Sequence, residues 1–207
     1  MSVKYLGLAI LTGVTSLTLA APVLADDAKP AAAAKPAAAA KPAAAGKAAR
    51  SDADVIKSAM RAAPADVGKD ATIVDMGADG KMRTVRAGTN GFTCMPGKPD
   101  TQALDSMCLD KAALSWADAW MSHKTPSAGK VGMVYMLAGD SGASNTDPFA
   151  TGPTPTNHFI KTGAHVMVVG ADASFYDAYP KGADPDVHAP YVMWAGTPYQ
   201  HLMMPVK

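Results

Sequence analysis

The chain has 207 residues and a formal net charge of +1, and every one of its 18 acidic residues is an aspartate. The lack of glutamate excludes mechanisms whose motifs require it, such as the HExxH zinc-protease helix and the glutamate base of zinc deaminases. Charge is also unevenly divided: residues 51–207 carry 13 basic and 16 acidic side chains, a net −3, so the foldable part lacks the basic footprint of a nucleic-acid binder.

Residues 1–25 read as a secretory signal peptide. Lys4 precedes an apolar run from Leu6 to Ala20, and the small residues Val23 and Ala25 suit cleavage before Asp26. The run of about 15 apolar residues is shorter than the roughly 20 that a membrane-spanning helix needs, and no cysteine follows the cleavage point to take a lipid. Periplasmic or fully secreted localisation is the expectation.

Residues 26–50 are low-complexity lysine, alanine and proline, with Lys29, Lys35, Lys41 and Lys47 at regular spacing. Interior prolines cost a helix about 3 kcal/mol each, and the alanine runs between them are too short to nucleate one. A disordered, extended tether is expected, its 23 residues from Ala28 to Arg50 reaching at most roughly 70 Å at about 3.1 Å per residue.

Residues 51–207 have the length of one globular domain. Ser51-Asp-Ala-Asp54 resembles a capping box, and Val55, Ile56, Ala59 and Met60 share one face of a short helix that ends before Pro64. Ala71–Met76 and Lys81–Ala87 read as a hairpin joined by Gly77-Ala-Asp-Gly80. Gly88–Asp105 is a glycine- and proline-rich loop. Cys94 and Cys108, the only cysteines, are most simply a disulfide in an oxidising compartment. Asp110 caps a second helix carrying Trp116 and Trp120. Lys130–Gly139 is strand-like and Asp140–Lys161 a polar loop, and Ala164–Gly170, Tyr191–Ala195 and Gln200–Val206 are further strand-like runs. This order predicts an α+β domain with a largely antiparallel sheet, two or three helices and one disulfide.

Several patterns carry chemistry. Gly139-Asp-Ser-Gly142 has the letters around a trypsin-type nucleophile, but His123 is the only preceding histidine, and a glycine turn explains the segment. The oxygen-rich stretch Asp140–Asp147 offers material for a calcium loop without the EF-hand spacing, and otherwise reads as a solvated loop. His165 and His201 lie in strand-like segments, and Met167 and Met203 share their faces by two-residue alternation. If those strands are neighbours, imidazoles and thioethers form a cluster suited to a copper-type metal ion. The alternative is a packed core with methionine as filler and each histidine satisfied by one hydrogen bond. Tyr191, Trp194 and Tyr199 are candidates to line a small-ligand pocket, or to pack a core.

The stretches from Arg86 to Pro96, Met107 to Asp110, Ala143 to Pro148 and Tyr191 to Tyr199 resemble a family of uncharacterised exported bacterial proteins with a paired-cysteine loop. The resemblance implies an exported single-domain protein and brings no activity or site residue. The expected function is a tethered binding module for a small molecule, metal ion or envelope component. The alternatives are a hydrolase built on His165 or His201 with Asp140 or Asp147, and a structural envelope protein.

Overall fold

The computed structural model describes residues 50–77, 80–98 and 104–206, so residues 1–25 and nearly all of the stretch read as a tether lie outside the described part. Helix α1, Asp52–Met60, starts where the Ser51 hydroxyl accepts the Asp54 N–H at 3.2 Å. Pro64 then opens the single turn α2, Ala65–Gly68. The hairpin expected from the glycine-flanked runs is present as β1, Thr72–Met76, and β2, Met82–Arg86. The region expected to be loop contains a three-residue strand, β3, Thr93–Met95, and a second short strand, β4, Met107–Leu109, follows it. Cys94 lies directly opposite Cys108 on these strands and is disulfide-bonded to it.

Asp110 begins α3, Lys111–Met121, and uses both carboxylate oxygens. Oδ1 accepts the Ala113 N–H at 2.8 Å, and Oδ2 accepts the Met133 N–H at 3.0 Å, which fixes the helix start to β5, Gly132–Met136. The polar loop contains a second, two-stranded sheet made by β6, Ala143–Ser144, and β7, Phe159–Ile160. The remaining elements are β8, His165–Val169, a 3-10 turn at Ala173–Ala178, β9, Tyr191–Met193, and β10, His201–Pro205.

The main sheet has eight strands in the order β2-β1-β3-β4-β5-β8-β10-β9, and of its neighbouring pairs only β1–β3 is parallel. The architecture is therefore α+β with a largely antiparallel sheet. Alternation assigns the two faces. His165, Met167 and Val169 of β8, with Val134, Met136 and Met203, face α3 and pack against Trp116 and Ala117. Val192 and Leu202 face the other way and cover Tyr176. A third cluster joins Val55 and Ala59 of α1 to Ile73 and the buried cystine.

Gly132 explains how closely α3 approaches the sheet. A side-chain carbon there would fall onto the backbone of Ala112 and Ala113. Gly132→Ala is expected to cost about 1–3 kcal/mol, because the obstacle is helix backbone that cannot swing aside. Chemical denaturation would show this as a lower midpoint with unchanged slope.

Candidate functional site

A cavity of ≈180 Å³ lies between the sheet and α3. Its floor comes from β5, β8, β9 and β10, and its cover from Trp116 and Trp120 of α3 together with Trp194. The three indoles pack on one another, with Trp116–Trp194 centroids 6.3 Å apart and Trp120–Trp194 5.1 Å apart. Trp194 holds a left-handed backbone with φ of 56°, unfavourable for a bulky side chain. It is pinned there by its N–H to Asn145 O at 2.9 Å and its indole N–H to Ser144 O at 2.8 Å. A conformation this costly is kept only where the surroundings fix it, and here it aims an indole over the cavity.

His165 and His201 both line the cavity and are respectively 0% and 1% exposed. The Nδ1 of His165 lies 2.7 Å from Gly163 O, and that of His201 3.0 Å from Tyr199 O. A carbonyl oxygen can only accept, so each Nδ1 carries the hydrogen and each neutral ring keeps its lone pair on Nε2. Among the described residues neither Nε2 has a hydrogen-bond partner, although both are buried. Burial pushes His201 down to about 4, with the bond to Tyr199 opposing and the neighbouring His165 adding to the depression. Burial also lowers His165, against its bond to Gly163. Both rings are therefore neutral near pH 7.

Five methionines line the same cavity: Met107, Met136, Met167, Met193 and Met203. Met203 sits directly opposite Met167 on neighbouring antiparallel strands, so the expected sharing of one face by these two methionines and two histidines holds. Met107, Met136 and Met193 escaped the sequence reading, since nothing local tells which methionines a distant strand will place beside a histidine. The repeat His165-Val-Met167 and His201-Leu-Met203 was the available signal.

The aromatic candidates divide. Trp194 lines the cavity. Tyr191 is buried beside it with its hydroxyl 2.7 Å from Thr162 Oγ1, and burial pushes it up to about 12. Tyr199 packs its ring edge-on against Phe149 and offers only its carbonyl to His201. Neither tyrosine lines the cavity.

Asp105 and Asp140 also line the cavity, and Asp140 accepts the N–H of Thr162, three residues before His165. Burial, with Asp105 close by, raises Asp140 to about 6, although it accepts the Thr162 and Gly142 N–H groups. Ser141 of the Gly-Asp-Ser-Gly segment donates its hydroxyl to Asp105 Oδ2 at 2.7 Å and its N–H to Oδ1 at 2.8 Å. Neither cavity histidine is hydrogen-bonded to an aspartate; the one such bond among the described residues joins His158 to Asp184 at 2.9 Å, with both side chains well exposed. The oxygens of the Asp140–Asp147 stretch fold the loop: Ser144 Oγ donates to Asn157 O, and Asp147 Oδ1 accepts the Phe149 N–H.

The chain matches no family model, no curated protein and no solved structure. The site is accordingly read from its own chemistry.

Proposed function

We propose that this protein is an exported, tethered module that holds a soft monovalent metal ion, Cu(I), in the cavity beneath α3. One observation carries the reading: two neutral, buried imidazoles have unpartnered Nε2 atoms in a cavity lined by five methionines. A metal-binding histidine characteristically donates its other ring N–H to a carbonyl, which fixes the tautomer, and both histidines already do so. Imidazole with thioether suits Cu(I), whereas hard cations call for carboxylate and water oxygens. The volume is below the roughly 300–1,000 Å³ of sites that take drug-sized organic molecules. Export is supported by the signal-type residues 1–25 and by the disulfide, which fits an oxidising compartment.

Competition with a chromophoric Cu(I) chelator under anaerobic conditions tests the proposal. Wild type is expected to withdraw copper from the chelator. His165→Gln with His201→Gln, which removes both cavity imidazoles, should weaken binding by more than the roughly 10–100-fold that loss of an outer-shell partner costs. Wild type that competes no better than this variant would refute the reading.

One observation favours a second reading. The indole N–H of Trp116, which also lines the cavity, is likewise buried without a partner. A small neutral molecule with one donor and one acceptor would satisfy His201 and Trp116 together. Such a ligand would appear in native mass spectra as an organic adduct that survives metal chelation.

A further inference from the structure

We infer that the cavity holds two soft cations in half-sites with the same donor set, one at His165 and one at His201. This inference rests on the soft-metal reading above and adds its stoichiometry and further ligands.

The register of the sheet carries the argument. On β8, Val169 lies opposite His201, and His165 lies four residues further along. At about 3.3 Å per residue the Cα atoms of the two histidines are offset by roughly 13 Å along the strands. Two Nε2 atoms bound to one ion at about 2.0–2.1 Å each could be no more than about 4 Å apart. Strand side chains stand roughly perpendicular to the sheet, so closing that gap would demand a large lean from both rings.

Each histidine has its own thioethers. His165 has Met167 two residues along its strand, and Met136 of β5 directly opposite. His201 has Met203 two residues along its strand, and Met193 of β9 directly opposite. All six side chains line the cavity. Because Met167 opposes Met203, a local two-fold axis between them and perpendicular to the sheet carries β8 onto β10 and β5 onto β9. It carries His165, Met167 and Met136 onto His201, Met203 and Met193. Directly opposed side chains have Cβ atoms about 4.5–5.5 Å apart, a span two ligands to one ion can bridge. The symmetry thus yields two one-imidazole, two-thioether donor sets, meeting at the Met167–Met203 pair.

The ends differ in their cover. Asp140 is bonded to Thr162 just before His165, and Asp105 is bonded to Ser141 beside Asp140. The His201 ring sits edge-on against Trp116 and Trp194, with centroids 5.4 and 4.8 Å away. The half-sites share donors but not surroundings, so unequal affinities are expected.

The test is native mass spectrometry of the full exported chain titrated with Ag⁺, a redox-inert stand-in for Cu(I). Excess free methionine is present to strip ions from exposed thioethers such as Met76 and Met121. Wild type should retain two ions. His165→Gln and Met136→Leu should each retain the ion at His201, and His201→Gln and Met193→Leu the ion at His165. Methionine to leucine nearly conserves volume, so the leucine variants keep the test readable if a glutamine variant fails to fold. Wild type retaining a single ion, or any one of these changes releasing both, would overturn the two-site inference while leaving the soft-metal reading intact. Wild type retaining none would overturn both.

Discussion

Between pH 7 and pH 4, metal-free wild type is expected to lose on the order of 3 kcal/mol of stability relative to His201→Gln. The cause is the burial of a neutral imidazole. His201 is held at about 4 in the folded protein, against an ordinary value near 6.5 in the unfolded chain. Within that window the unfolded state binds the proton and the folded state resists it, so the contribution is fully present above about 6.5 and disappears as pH falls toward 4. Asp140 acts in the opposite sense. Its folded value is raised to about 6, so the folded state takes up a proton first and is favoured by mild acid. The wild-type profile alone is therefore flattened, and the difference between variants exposes the histidine. Asp105, Asp140 and His165 are the other ionisable side chains lining the cavity, and none is replaced in this comparison. Urea unfolding of both proteins across the range measures it. A stability difference that does not change with pH would mean that His201 is solvated or already charged.

Replacing both cysteines by alanine is expected to cost about 3 kcal/mol, as the chain-entropy model gives for a loop of about 15 residues. At roughly 2–4 °C per kcal/mol this lowers Tm by about 6–12 °C. The position of the bridge adds a structural consequence. β1 and β3 share two residue pairs, β3 and β4 three, and β4 and β5 two, so this stretch is the narrowest part of the sheet. On one side lie α1, β1 and β2, and on the other the strands that form the cavity floor. The disulfide fastens the two together at that waist. Hydrogen exchange in the double variant should therefore rise more in β1–β3 than in β8–β10. Uniform loss of protection would contradict a stapling role.

What the sequence revealed follows from the range of the forces involved. The Ser51 and Asp110 caps, the hairpin and the strand alternation at His165 and His201 are local, and each is found where local chemistry puts it. β3 and β4 escaped because three-residue strands amid glycine and proline have no periodicity to read. Their stability comes from β1, β5 and the cystine, all supplied by tertiary structure. The site was half legible for the same reason. The pairing of Met167 with Met203 needed only two strands to be neighbours, whereas Met136 and Met193 required the full strand order and register. Tyr191 and Trp194 are three residues apart on the chain, yet the left-handed turn at Trp194 sends only the indole over the cavity. Periodicity along β9 gives no warning of that turn.

The most direct test of the soft-metal centre is to observe its donor atoms. Two-dimensional NMR of protein labelled with ¹⁵N-histidine and ¹³C-methyl methionine, recorded before and after one and two equivalents of Ag⁺, reports each imidazole nitrogen and each thioether methyl separately. The predicted result is a metal-dependent shift of Nε2, with Nδ1 still protonated, at His165 and His201. The methyls of Met136, Met167, Met193 and Met203 should shift with them, and those of Met76 and Met121 should stay in place. Unchanged Nε2 signals with shifts confined to exposed methionines would contradict a metal centre in this cavity.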